Sequence, residues 1–145
     1  MTAANTLAAA LEREHHEIDT GIEAFLASGG QRKDQAEPLR RAIGALRRHI
    51  YLEEVFLFPP LRDGGLFAPI FVMLRKHGEI WDAMDALDAQ LGNDPGNGPS
   101  EESCRGLLTQ LEQHNSKEEA VVYPAADTVL SADAGAELRA FLAAG

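Results

Sequence analysis

A single cysteine, Cys104, in 145 residues excludes an internal disulfide and the small scaffolds that depend on one. It lies three and four residues before Leu107 and Leu108, so it reads as a small core residue rather than a reactive thiol. Aromatic residues are scarce, at 6%, and β-branched residues are few beside Ala and Leu. That balance favours helix over sheet, and no segment alternates with period two for long enough to read as a strand. Basic residues are also in short supply. Lys and Arg number 13 against 23 Asp and Glu, a formal net charge of −10 with no basic stripe. A phosphate backbone would be repelled, and so would an anionic membrane surface, so neither nucleic acid nor membrane is an expected partner. The opening stretch, Met1 to Leu11, is only mildly apolar, lacks a basic start and runs at once into Glu12, Arg13 and Glu14. Neither a signal peptide nor a membrane span is expected, which makes the cytoplasm the expected location. One domain is expected over residues 1–145.

What the chain does have is helical periodicity. Leu7, Leu11, His15, Ile18, Ile22 and Phe25 recur at intervals of three and four, predicting a first helix from about Asn5 to Leu26 with His15 facing inward. His16, about 100° round, falls with Glu12, Asp19 and Glu23 on the face toward water. A second helix opens at Asp34, with Glu37 as its capping-box partner and Pro38 in its first turn. Its inward stripe is Leu39, Ala42, Ile43, Leu46, His49, Ile50, Glu53, Phe56 and Leu57, and Pro59 and Pro60 should end or kink it. The third begins near Ala68, with a stripe of Ile70, Met73, Leu74, His77, Ile80, Trp81, Met84, Leu87 and Leu91. The Gly/Pro-rich stretch from Gly92 to Pro99 is a linker, and Ser100 caps a fourth helix. Its inward stripe is Cys104, Leu107, Leu108, Leu111, His114, Glu118, Val121, Val122 and Ala125, and a kinked continuation beyond Pro124 is expected. A short amphipathic segment with Leu138, Phe141 and Leu142 packs back. The expected fold is all-α: an up-down-up-down antiparallel four-helix bundle with a short C-terminal helix.

The chain also repeats itself. His49-x-x-x-Glu53-Glu54 and His114-x-x-x-Glu118-Glu119 are each followed by an apolar stretch and a proline at the same offset, Pro59 and Pro124. Residues at i and i+4 share a helical face. In antiparallel hairpins, residues equally far from a turn lie side by side, and the midpoints between successive histidines all fall in loops. His15, His49, His77 and His114 therefore meet at one level, with Glu53 and Glu118 one turn further along. One histidine on an apolar stripe is more often a hydrogen-bonded core residue than a ligand. Four imidazoles and two carboxylates converging in a core would be severely destabilising with nothing between them. Metal ions reverse that sign, because they bind neutral imidazole and ionised carboxylate. Six donors are too many for one tetrahedral zinc and suit two ions, each on two histidines, with the glutamates bridging. A nitrogen-rich, thiolate-free set favours iron over calcium or magnesium, while manganese, zinc and copper remain open by affinity.

With these elements in place the sequence resembles the hemerythrin-like, HHE cation-binding family, over Leu11 to Leu130. The matching pieces are Glu14-His15-His16-Glu17-Ile18, His49-x-x-x-Glu53-Glu54 with Pro59, Lys76-His77-Gly78-Glu79-Ile80, and His114-x-x-x-Glu118-Glu119 with Pro124. The resemblance implies a single hemerythrin-like domain. It makes His15, His49, His77 and His114 terminal ligands of two iron ions in an oxo- or hydroxo-bridged centre, with Glu53 and Glu118 as bridging carboxylates. Oxygen-carrying members have a further histidine where this chain has Met73, and H-x-x-x-x-D in the fourth helix where it has H-x-x-x-E. It is more similar to bacterial four-His, two-Glu versions, including iron–sulfur cluster repair proteins, though without their N-terminal cysteine-containing domain. Both departures point away from simple oxygen transport and from cluster repair. The implied role is binding of a small ligand, O2, NO or peroxide, for sensing, storage or stress response, with an unidentified redox partner. The alternatives are an enzyme that disproportionates peroxide or reduces NO, and an iron-storage or structural metal bundle. Asp19 is expected at the surface, Glu54 and Glu119 pointing away from the centre, and Met73 and Trp81 walling its pocket.

Overall fold

The computed structural model describes residues 6–28, 36–93 and 101–144, and among these it is helical apart from short turns, with no strand. Helix α1 (Leu7–Ala27) begins at Thr6, whose hydroxyl accepts the Ala9 N–H at 3.0 Å. The carboxylate of Asp127, distant in sequence, accepts the Leu7 and Ala8 N–H groups at 2.9 and 3.1 Å. First-turn amides have no partner within their own helix, and the positive helix end favours an anion there. Helix α2 covers 37–63 as three abutting stretches: Glu37–Leu52, a π-helical turn Glu53–Leu57, and Phe58–Asp63. Pro38 is in its first turn, and Ala36 supplies no side-chain cap. The expected cap Asp34 lies outside the described residues, as do Asn5 and Ser100. Helix α3 is Phe67–Asn93. Helix α4 covers 101–129 in the same three-part manner as α2: Glu101–Lys117, a π-helical turn Glu118–Val122, and Tyr123–Val129. Helix α5 is Ala132–Ala144.

The two π-turns have one cause. A proline has no N–H to donate, and its ring clashes with the carbonyl four residues back, here Val55 for Pro59 and Ala120 for Pro124. Widening the turn before each proline resolves the conflict, and such wide turns concentrate at functional sites. Phe58 N–H donates to the Glu53 carbonyl and Tyr123 N–H to the Glu118 carbonyl. Helix α2 therefore runs on past the proline pair. The extra residue in each turn delays the buried phase by one position. Where the helical period predicts Phe56 and Leu57, the residues buried are Leu57 and Phe58; where it predicts Val121, Val122 and Ala125, they are Val122, Tyr123 and Ala126. Val121 is left 50% exposed.

Two apolar clusters form the core, one on each side of a polar layer. The first joins Ile18, Ile22 and Phe25 of α1 to residues 39–50 of α2, 80–91 of α3 and 104–111 of α4. The second joins Leu7 and Leu11 to residues 52–61, Ile70, Met73, Val122, Tyr123, Ala126 and Leu138 of α5. Helix α1 packs chiefly on α2, at a contact close enough that a Cβ added to Gly21 would lie 2.9 Å from the Ala42 Cβ. Leu74 and Trp81 depart from the expected stripe. They sit at its edge, 38% and 39% exposed, and the Arg47 guanidinium lies 5.3 Å from the centre of the Trp81 ring. No helix among the described residues is long and apolar enough to cross a membrane.

Candidate metal centre

All six residues singled out by the sequence meet in the polar layer between the two clusters. His15, His49, His77 and His114 are each no more than 5% exposed, and Glu53 and Glu118 are fully buried. Their donor atoms form two overlapping groups. One is His15, His49, Glu53 and Glu118; the other is Glu53, His77, His114 and Glu118. Within each, one atom per residue lies within 4.8 Å of every other. Glu53 belongs to both groups in the plainest way. Its Oε2 lies 3.3 Å from His49 Nε2 and its Oε1 2.9 Å from His77 Nε2. Glu118 turns Oε1 to His15 Nε2 at 3.3 Å and to His114 Nε2 at 3.2 Å, with Oε2 3.9 Å from His77 Nε2.

These separations suit ions between the groups. Donors bound side by side at about 2.1 Å from one ion stand roughly 3 Å apart. The orphaned atoms say the same. Glu53 Oε1, Glu118 Oε2, His77 Nε2 and both ring nitrogens of His114 are buried without a hydrogen-bond partner. His77 Nε2 and Glu53 Oε1 are close enough to pair, yet the ring is not aimed for a hydrogen bond. Buried metal-ligating atoms that converge without satisfying one another mark a place for a cation. The donor set therefore fits metal ions.

Three imidazoles are held from behind by carboxylates, all at 2.8 Å. His15 Nδ1 donates to Glu119, His49 Nδ1 to Glu14, and His77 Nδ1 to Glu54. An ionised carboxylate can only accept, so it keeps the proton on Nδ1 and turns Nε2 inward as the ligating atom. Glu54 and Glu119, expected to point away from the centre toward helix-surface partners, stay outside both donor groups and reach sideways to the outer nitrogens of histidines on neighbouring helices. The signal was the second glutamate of each Glu-Glu pair, and Glu14 is flagged only by standing next to His15.

Tyr123 is the larger omission. The one-residue delay after the second π-turn swings it inward, where it is fully buried. Its hydroxyl lies 2.6 Å from Glu53 Oε2, 2.7 Å from His15 Nε2, 2.9 Å from His49 Nε2 and 3.2 Å from Glu118 Oε1. Phe58, nine residues after His49 as Tyr123 is after His114, takes the matching position on the other side and stacks on His77 at 5.3 Å. Of the remaining candidates, Met73 is buried, Trp81 is at the surface, and half-buried Asp19 belongs to neither donor group.

Without an ion the layer is electrostatically strained. Burial alone would push His49 down, but Glu53, Glu14 and Glu118 carry it up to about 10. His77 is likewise opposed by burial and raised to about 9 by Glu53 and Glu54. Burial and the neighbouring Glu53 charge push Glu118 up to about 8. Burial would raise Glu53 too, but His49 and His77 hold it well below the usual carboxylate range. Burial takes His114 down to about 4, against the pull of Glu53. Tyr123 is driven well above its usual range by burial and by Glu118 and Glu53.

Comparison with known families matches residues 6–126 to the hemerythrin HHE cation-binding domain. Neither the curated proteins nor the solved structures contain a match to the chain.

Proposed function

The chain belongs to the hemerythrin HHE cation-binding family, and from that premise we propose a non-haem di-iron protein that binds a small ligand, O2, NO or peroxide. In this reading His15 and His49 hold one ion, His77 and His114 the other, and Glu53 and Glu118 bridge them. The observation that carries it is Glu53, fully buried, with one carboxylate oxygen toward each histidine pair. When bound, two irons would supply open coordination positions and reversible one-electron change. The chain's own residues supply the rest. Glu14, Glu54 and Glu119 fix three imidazole tautomers, the two apolar clusters exclude water, and Tyr123 sets a phenol oxygen against the donors of the first ion. With separations of 2.6 to 3.2 Å from four of those donors, the phenol oxygen is spaced as a further ligand of that ion would be. Met73, an apolar residue, adds no donor to the second ion.

The four longer helices form an up-down-up-down antiparallel bundle in this reading. Support comes from the core clusters, in which the late residues of α1 share a cluster with the early residues of α2, and the late residues of α3 with the early residues of α4. A cytoplasmic setting is in keeping with Cys104, a buried thiol pushed up to about 11 by burial.

Iron analysis and spectroscopy test the proposal. The purified protein should carry about two irons per chain, and Glu53→Ala or Glu118→Ala should lose them. The reduced protein should give a reversible spectral change with O2 or NO. Irreversible oxidation with rapid consumption of peroxide would instead favour a detoxifying enzyme. A preparation that takes up no added ferrous iron would overturn the di-iron reading.

A further inference from the structure

Three of the four imidazoles have a carboxylate behind them; the fourth does not. The arrangement follows the internal repeat. Glu54 of α2 holds His77 of α3, and Glu119 of α4 holds His15 of α1. Glu14, immediately before His15 on α1, holds His49 of α2. By the same relation, the residue immediately before His77 on α3 should hold His114 of α4. That residue is Lys76.

The consequence is visible at His114. Its Nδ1 is buried and has no hydrogen-bond partner. Beside it is a polar cavity of about 70 Å³ lined by Lys76, Glu79, Gln110, Gln113 and Lys117. Lys76 and Lys117 are two of only three lysines in a chain of net charge −10. Gln110 Oε1 is also buried without a partner, and turning the amide about its last bond offers an N–H in its place. Glu79, 52% exposed, pairs with Lys76 at 3.7 Å and makes no hydrogen bond to the His114 nitrogen. The cavity thus sets a buried imidazole nitrogen beside two lysines, without the carboxylate that accepts from Nδ1 of each of the other three rings. Its volume is that of about two water molecules.

We propose that this cavity binds a small carboxylate-like monoanion, about the size of formate, which accepts the His114 Nδ1–H between Lys76 and Lys117. It would do for His114 what Glu14, Glu54 and Glu119 do for the other rings. Because this acceptor is exchangeable, the donor strength of one ligand responds to anion concentration. The inference rests on the metal-centre reading, since Nδ1 carries the hydrogen when Nε2 binds an ion.

The test uses the zinc-loaded full chain labelled with 15N-histidine. Formate titration should move the His114 Nδ1–H resonance saturably and leave the other three ring signals in place. Zinc affinity, measured against a chelator, should rise roughly tenfold, the low end for a partner of a metal-bound histidine. Lys76→Gln and, separately, Lys117→Gln should weaken the response, while Lys76→Glu should show the shifted resonance without formate. No saturable shift, a shift unchanged in both glutamine variants, or movement of all four rings together would overturn the anion site. Zinc binding without a formate response overturns this inference alone, whereas a chain that binds no zinc overturns the metal centre as well.

Discussion

Loading the centre with metal at neutral pH should expel protons, and the number follows from the strain in the empty layer. At pH 7 the metal-free protein holds protons on His49, His77 and Glu118, raised to about 10, 9 and 8, whereas His114, lowered to about 4, holds none. Metal takes neutral imidazole and ionised carboxylate, so these three groups must each release a proton. Raising the pH removes the protons in advance, so apparent affinity increases with pH. These three groups give a slope of about three decades per unit at pH 7, flattening as each group is passed, and ionisation of the Tyr123 phenol as a ligand would add one more proton. His49 alone, about three units above neutrality, sets binding back by about 4 kcal/mol at pH 7. Zinc calorimetry in buffers of different ionisation enthalpy reads the proton count directly. A measured enthalpy independent of the buffer would refute the reasoning, because it would mean that the six donors are already in their ligating forms.

The same groups control the metal-free fold. His49 and His77 stand above their ordinary value of 6.5, so their stabilisation is complete below it and is lost as pH rises through 9 and 10. Glu118, raised from 4.5 to about 8, adds a loss across that interval. The melting temperature of the metal-free protein should therefore fall between pH 7 and 10, and a rise in thermal scans would contradict this. His15→Ala should lose metal at one position while His16→Ala, on the exposed face, keeps both; metal analysis showing the reverse would reassign helix α1. Tyr123→Phe should keep two irons but lose any visible phenolate-to-iron absorption, with no change expected from Tyr51→Phe, 52% exposed. Gly21→Val should destabilise the fold by about 1–3 kcal/mol in denaturant unfolding, because the 2.9 Å approach to the Ala42 Cβ leaves the helices no room.

The histidine layer was legible because it obeys simple rules. His15, His49, His77 and His114 all precede the π-turns, so an unbroken helical period carries their phase correctly, and hairpin arithmetic then sets them at one height. Glu53 and Glu118, at the first position of each wide turn, are the last residues for which that phase holds. Beyond them the period slips by one residue, which is why Phe58 and Tyr123 read in the sequence only as the end of an apolar run. The prolines carried the warning. A proline one position after an aromatic residue, inside an otherwise uninterrupted helical stripe, forces the turn to widen or the helix to stop, and periodicity alone does not choose between them. Glu14, Glu54 and Glu119 escaped for a different reason. Each sits beside its own helix's ligand and serves the histidine of a neighbouring helix, a relation that exists only once the helices are packed.

The internal repeat makes the two donor groups, and so the two proposed ion positions, similar, and its failures make them different. Around the first position His15 and His49 are both backed by carboxylates, and the Tyr123 oxygen stands among the donors. Around the second, only His77 is backed, Phe58 stacks where the phenol would be, and Lys76 stands where a fourth glutamate would be. Both substitutions act in the same direction. They strengthen the donors of the first position and withhold an anion and an oxygen from the second. A carboxylate behind a histidine ligand is worth about 10- to 100-fold in metal affinity, so the first position should hold its ion more firmly. The second, with fewer donors and a polar cavity against His114, has the greater freedom to take an outside ligand. In the proposed centre the glutamates would bring two ions together, and the departures from symmetry would divide the work between them.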